Sequence, residues 1–411
     1  MRKTTVAVLL IAGLLAVLTA TAAQRSVSGS AQGPIITPIP VLVRVFDGDR
    51  FVTDLSLKDF ELTESGFAAE PQALFLVRKN AIERREGSAD IHPDLVRTIF
   101  VLFSMTEYNN KIAEAMDYLF EKELIPGDSL EIQTAMGNYR LSPQSFATKP
   151  RNVLARELND IVRRDILRGS MAYNSLLREL RRAVRQIGGV GRTGLSDTEG
   201  DFDDGTSLEL QLMNYSENLQ KMEHLRVLNE EDLVRFAAGL KSRPGQKSVY
   251  CFYQREFRPE INSNTLSQML LDNQDRPTVL AELNTLFQMY SRSITLNHLR
   301  LKTVFADSGA SFNFLYINKQ PERISGVTMR EQSEDVFSAL STIAAATGGI
   351  TDSSQNPAAS IKTTLNAAEA CYILYFTPSV AAPPGTFMDI AVKVRSRNYR
   401  VVHRAGYLAR S

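Results

Sequence analysis

The stretch 97–108, RTIFVLFSMTEY, constrains the fold more than any other part of the chain. An unbroken apolar run ends at Ser104 and leads towards residues at helical spacing, with no polar alternation along it. A strand that is apolar on both faces has to be covered on both faces, which is the situation of a strand inside a parallel α/β sheet. The loop at the C-terminal end of such a strand is where open α/β sheets place their sites. The residues that follow keep the pattern. Ile112, Ala115, Met116, Leu119 and Phe120 recur at helical spacing, Pro126-Gly127-Asp128 ends them, and 129–135 reads as a second strand. Amphipathic stretches at 153–167 and 173–187 precede a Gly/Asp-rich loop at 188–205. A helix at 208–241 then leads to a strand at 248–253, and a helix at 279–304 to a strand at 311–317. Helices at 333–347 and 358–370 bracket a glycine pair before a last buried strand at 371–376. Strands alternating with helices predict the α/β class, with a mainly parallel sheet covered on both faces.

Both ends differ in character. Arg2 and Lys3 precede an apolar run from Val6 to Leu18 and the small residues Ala20-Thr21-Ala22-Ala23, which reads as a signal peptide over 1–23 and predicts export. The run is short for a span of roughly 20 residues, so no transmembrane segment is expected in the mature chain, an uncleaved anchor being the alternative. No Cys follows the run to carry a lipid. Residues 24–40, rich in Ser, Gly and Pro, read as a flexible tether. An N-terminal β unit is expected over 41–90, with strands at 41–46, 60–63 and 73–77 and a turn at Asp47-Gly48-Asp49. The tail, 386–411, reads as a β hairpin of 387–394 and 399–402 joined across Ser396-Arg397-Asn398. Neither end has enough strands to be stable alone, so the two complete one small β unit together or extend the main sheet.

Composition removes several functions. With 47 basic and 46 acidic side chains there is no overall pull towards nucleic acid or anionic lipid, and partners have to be recognised locally. His92, His224, His298 and His403 are scattered, without an H-E-x-x-H or paired Cys ligands, and no G-x-S-x-G elbow occurs. Trp, a favoured ring for stacking sugars, is absent. Cys251 and Cys371 sit inside apolar strand-like runs and read as buried thiols, with a structural bridge as the alternative in an exported chain. Gly189-Val190-Gly191-Arg192-Thr193-Gly194 matches G-x-G-x-x-G but follows a helix instead of a strand, and Pro244-Gly245-Gln246-Lys247-Ser248 is followed by a strand where a phosphate loop needs a helix. The cluster Asp197, Glu199, Asp201, Asp203 and Asp204 is out of register with an EF-hand and reads as a solvated loop.

Four patterns in order along the chain carry a resemblance. Phe46-Asp47-Gly48-Asp49 is followed by Leu55-Ser56-Leu57-Lys58-Asp59-Phe60-Glu61-Leu62-Thr63-Glu64-Ser65-Gly66, similar to D-x-D-G and then L-x-x-x-D-F-x-L-x-E-x-G. LSTIAAATGG at 340–349 looks like L-x-x-x-A-x-x-T-G-G, CYILYFTP like Y-x-L-x-Y-x-P, and 401–407 closes with R-x-G-Y. Together they resemble a bacterial exported family described as VWFA-related, of the von Willebrand factor A-like fold. The resemblance implies a three-layer α/β/α, Rossmann-like domain over 95–380, flanked by the small β unit from the N- and C-terminal segments.

The resemblance also implies a divalent-cation site at the top of the sheet, the metal-ion-dependent adhesion site. It is built from a D-x-S-x-S loop, a Thr from a second loop and an Asp after a later strand, hard oxygen ligands suited to magnesium or calcium. Aligned residue by residue, Ser104-Met105-Thr106-Glu107-Tyr108 stands for D-x-S-x-S, Gly169-Ser170-Met171 for G-G-T, and Tyr253-Gln254-Arg255 for T-D-G. Both carboxylates are missing. The expectation is therefore no metal and no cofactor, with Glu107 opening the following helix. What remains is a concave rim of Ser104, Thr106, Tyr108, Ser170, Gln254 and Arg255 able to grip a protein partner, Arg255 pairing with an acid. A decayed rim with binding elsewhere is the alternative.

The reading is a non-catalytic, exported protein-protein interaction module of adhesion type that has lost metal-dependent ligand binding, at the periplasmic or cell-surface face of a bacterium, with no nucleic-acid partner. A structural scaffold of an envelope assembly is the alternative, and an envelope enzyme the third. The partner and the oligomeric state are left open.

Overall fold

The computed structural model describes residues 37–188, 207–225, 229–291, 296–395 and 398–410. The expected signal peptide, nearly all of the tether, the G-x-G-x-x-G match and the acidic cluster lie outside the described residues.

The apolar run at 97–108 becomes β7 (Arg97–Ser104), in the middle of a six-stranded sheet. Its neighbours are β8 (Ser129–Gln133) and β10 (Gln246–Gln254). Beyond them lie β9 (Asn138–Leu141) on one side and β12 (Ser311–Ile317) with β14 (Thr351–Ser354) on the other, in the order β14-β12-β10-β7-β8-β9. All neighbours are parallel except β8 and β9. Side chains alternate across the sheet. Ile99, Val101, Phe103, Tyr250, Phe252 and Leu315 pack against α1 (Lys111–Tyr118), α3 (Arg151–Gly169) and α11 (Pro357–Ala368). Phe100, Val249, Cys251, Phe312 and Phe314 pack against α6 (Glu230–Lys241), α9 (His298–Asp307) and α10 (Glu334–Ala346). Each buried aromatic ring contributes about 2–3 kcal/mol of transfer free energy, which is why β7 needs no polar face.

The ends of the chain build a second structure. One antiparallel sheet runs β17-β1-β15-β5-β6, with β1 (Ile39–Asp47), β5 (Pro71–Arg78), β6 (Ala81–Gly87), β15 (Ala370–Phe376) and β17 (Arg400–His403), and the short β2 (Arg50–Phe51) pairs with β1. A second runs β18-β16-β3-β4, with β3 (Phe60–Glu64), β4 (Phe67–Ala69), β16 (Phe387–Val394) and β18 (Gly406–Leu408). Val41, Val43, Leu74, Leu76, Tyr372 and Leu374 of the first share a core with Phe60, Leu62, Met388, Ile390, Val392 and Tyr407 of the second.

Three expectations are corrected. The last buried strand, β15, leaves the parallel sheet and lies antiparallel between β1 and β5, so the domain expected over 95–380 ends short of it. An apolar run buried on both faces reads alike in either sheet, and its composition does not name its neighbours. The hairpin expected in 386–411 pairs differently: β16 forms its antiparallel ladders with β18 and β3 instead of with 399–402, and β17 pairs with β1. The link between β16 and β17 is side chain to backbone, Val392 N–H donating to His403 Nε2 at 3.2 Å. The tether also ends early, since Ile39 and Pro40 already belong to β1.

The long helices are each two. Asn229 accepts from Glu231 N–H and starts α6 separately from α5 (Leu208–His224), and Asn297 accepts from Arg300 N–H and starts α9 separately from α8 (Pro277–Ser291). Side-chain caps of this kind satisfy donors that a new helix leaves unpaired. Two shorter helices are α2 (Pro143–Thr148) and α7 (Ser263–Asp272). A further core forms where α4 (Met171–Ile187), α5, α7 and α8 meet Ile261 of β11 (Phe257–Ile261), a strand paired antiparallel with β13 (Val327–Glu331). Only two residues separate the end of β10 from the start of β11, so this ribbon stands at the C-terminal end of the parallel sheet. No helix among the described residues is long and apolar enough to cross a membrane.

Candidate functional site

The parallel register places Tyr253 beside Ser104, so Gln254 extends past the end of β10 over the loop leaving β7. Its Oε1 accepts from the N–H of Thr106 at 3.2 Å, the N–H of Glu107 at 2.9 Å and the hydroxyl of Thr106 at 3.4 Å. One amide oxygen gathers the loop. Ser104 is buried beneath it. Ser170 lies between α3 and α4, and Asn174 joins it to the loop by donating to Ser170 Oγ and to Thr106 O, both at 3.1 Å. The Tyr108 hydroxyl donates to Asn159 Oδ1 at 2.7 Å, with the Arg163 guanidinium 5.6 Å from its ring centre. Burial pushes the Tyr108 hydroxyl above its ordinary pKa.

Arg255 is committed within the molecule, where an acid on a partner had been expected. It pairs with Glu331, donates to Asn318 Oδ1 at 3.0 Å and lies 5.0 Å from the Phe257 ring centre. Burial alone would raise the Glu331 carboxyl, but bonds from Arg255, Tyr316 and Ser333 hold it below the usual range. Glu107 does not open a helix. α1 starts at Lys111, and Glu107 pairs with Lys319.

The structure thus brings Ser104, Thr106, Ser170 and Gln254 together, sets Tyr108 and Arg255 on either side, and bonds Thr106, Tyr108, Ser170, Gln254 and Arg255 into the chain's own network. The expected concave rim is roofed by the β11–β13 ribbon and α4. Between Thr106, Glu107, Arg255, Phe257, Lys319 and Met329 the crevice has room for about 10 Å³, the space of one water. A divalent cation does not fit this donor set. The oxygens at the sheet end are hydroxyls and an amide, and Glu107, Glu322 and Glu331 around the crevice are paired with Lys319, Arg181 and Arg255. Among the described residues no three His, Cys, Asp or Glu side chains are grouped to hold a metal. Lys319, Glu331, Asn159 and Asn174 carried no signal in the sequence, because each acts through a partner distant along the chain.

The residues that carry the family resemblance lie away from this rim. Glu64, fully buried, accepts from the Tyr407 hydroxyl and from the N–H groups of Ser379 and Val380 at 3.0 and 3.2 Å, tying the first motif to the last. Asp59 accepts from Ser56 N–H and Oγ, bonds that lower its carboxyl pKa. Tyr372 accepts from Leu55 N–H at 3.2 Å and donates to Val52 O at 3.0 Å. Thr347 Oγ1 accepts from Phe312 N–H at 3.0 Å, and a side chain on Gly349 would strike Phe312 O at 1.8 Å. The T-G-G segment is a joint: Arg44 of β1 donates to Gly348 O at 2.8 Å, and Ala405 N–H donates to Ala346 O at 2.7 Å. The bonds of Glu64, Asp59 and Tyr372 knit the β structure together, and those at 346–349 hold it to the parallel sheet.

No protein-family model and no curated protein matches the chain. Among solved structures, the chain shows a coarse similarity to the crystal structure of the human COPII-coat protein Sec24c, at 9% identity and a TM-score of 0.29 over 82% of this chain. The match spans 46% of that protein, and a likeness this weak carries no functional argument.

Proposed function

We propose that the chain is an exported, non-catalytic protein-protein interaction module of the bacterial envelope, built on a three-layer von Willebrand factor A-like domain that has lost metal-dependent ligand binding. Support comes from the parallel sheet with helix-lined cores on both faces, and from the motif matches, three of which are knitted into one β structure while the T-G-G segment joins that structure to the parallel sheet. The observation that carries the loss is Gln254, whose amide oxygen takes up the loop N–H groups at the sheet end where the resemblance puts an ion and its carboxylates. Titrating the purified mature protein with magnesium or calcium while following the melting temperature tests it. The expected result is no shift beyond that of sodium chloride at equal ionic strength. A cation held 100-fold above its Kd adds about 2.7 kcal/mol, so a rise of several degrees at millimolar cation would overturn the reading.

One observation favours the scaffold reading for where contact is made. Where α3 meets α4, Met136, Leu167 and Met171 are 54, 52 and 65% exposed, and Gly169 brings Met136 close beside them. Exposed apolar side chains gathered in one place mark interaction surfaces. Photo-crosslinkers placed at Met171 and at Tyr108 in the native cell separate the two. Capture of one discrete protein from Met171 alone assigns contact to the helix surface, capture from Tyr108 restores the rim, and capture from neither removes the interaction reading at these surfaces.

A further inference from the structure

At the opposite pole, where the strands of the parallel sheet begin, the chain buries basic side chains without acids to match. Arg44 and Lys247 are 2% and 9% exposed, and two nitrogens of Arg404, Nε and Nη2, are buried with no hydrogen-bond partner. Among the described residues none of the three is in an ion pair with a carboxylate. Arg44 has two neutral acceptors, Gly348 O and Ser311 Oγ, and Lys247 Nζ has one, Arg243 O at 2.9 Å. Nearby acids are engaged: Asp307 pairs with Lys241 at 2.5 Å and accepts from Leu408 N–H, and Asp94 accepts from Val96 N–H. Buried charges in proteins are ordinarily paired, so three without acids call for a physical explanation.

Helix dipoles supply part of it. α6, α9 and α10 all end at this pole, and each C-terminus offers roughly half a negative charge, offsetting about half of the three positive ones. The remainder is concentrated at one spot. The point where a Cβ on Gly309 would sit is 3.8 Å from Arg404 Nη1 and 3.9 Å from Lys247 Nζ, with no atom as near beyond the glycine and its chain neighbours. Burial and the Arg404 charge together depress the Lys247 ammonium, and burial brings Arg404 down to about 10, so each cation is held at a cost that a shared counter-ion would relieve.

We propose that the space beside Gly309 binds a small oxyanion, phosphate or a carboxylate, bridged between Lys247 Nζ and Arg404 Nη1. Charge-assisted bonds from two cations at one point fit such a ligand, and a carboxylate presented by a protein partner offers the same chemistry as a free ion.

The test follows melting temperature in phosphate, in acetate and in chloride at equal ionic strength, for the full mature protein. Phosphate or acetate stabilises wild type beyond chloride, and Lys247→Met weakens that effect about tenfold or more in apparent Kd. An effect of phosphate alone assigns the site to free phosphate, and an equal effect of acetate assigns it to a partner's carboxylate. Two variants at Gly309 guard against misfolding. Its φ of +65° is one that Asp and Asn tolerate alike, so Gly309→Asp and Gly309→Asn carry the same strain and differ in charge. With the site present, the Asp variant melts higher than the Asn variant and no longer responds to phosphate. Without it, the Asp would face the C-terminus of α9 and Asp307 and melt lower. That order, or a wild type that answers phosphate and acetate no differently from chloride, overturns the proposal.

Discussion

Gln254 decides the fate of the rim with one side chain. Replacing it by Leu leaves the N–H groups of Thr106 and Glu107 without their acceptor, and we expect a loss of about 2 kcal/mol, read as a lower urea midpoint with an unchanged m-value. Gly349 is less forgiving. A methyl 1.8 Å from Phe312 O forces the T-G-G joint apart, so Gly349→Ala is expected to abolish soluble folded protein, checked by expression yield and circular dichroism. Both cysteines are free and buried, and burial raises Cys251 to about 12 and Cys371 to about 11. Neither thiol should react with Ellman's reagent at pH 8 until the protein is unfolded, and then both should. The residue types at the rim were readable in the sequence. Their commitments were not, because Glu331, Lys319 and Asn174 reach them across turns of the chain that composition does not record.

At the scale of elements, strands with long apolar runs and helices with clean periodicity were legible, and pairing was not. β7, β10 and β12 emerge close to their expected limits, since burial on both faces leaves the same mark wherever such a strand sits. β16 and β17 look like a hairpin in sequence, yet belong to different sheets, linked by His403. The ring accepts from Val392 N–H through Nε2, so Nδ1 carries the proton towards Arg404 O, and the neutral form is the one that fits. Burial lowers its pKa below 6.5. The unfolded chain therefore takes up that proton first, and the stabilisation is complete above about pH 6.5 and declines as pH falls through that value towards the lower folded one. Glu123 and Asp128, raised by burial, act in the opposite sense in acid. The His403 contribution is isolated by comparison: the stability margin of wild type over His403→Asn should narrow between pH 7.5 and pH 5 in urea titrations.

Across the whole molecule the two ends of the chain are one structure, with β1 held between β15 and β17, and β3 held between β4 and β16. Removing residues 386–411 strips Met388, Ile390, Val392 and Tyr407 from the shared core and leaves Glu64 without Tyr407. We expect the truncated chain to be insoluble or to lack a cooperative melt, whereas a separable tail would leave the transition of the parallel sheet intact. By itself the sequence determined the α/β class, the positions of the most apolar strands, the lack of aligned carboxylates after β7 and β10, and the need for the terminal strands to find partners. These follow from side-chain chemistry and local periodicity, which act over a few residues. Tertiary structure alone decided that β15 serves the antiparallel sheet, that the helices and the β11–β13 ribbon close the expected rim, and that Arg44, Lys247 and Arg404 gather at the far pole. Those outcomes depend on which distant surfaces bury each other, and a residue carries no local trace of the neighbour that will cover it.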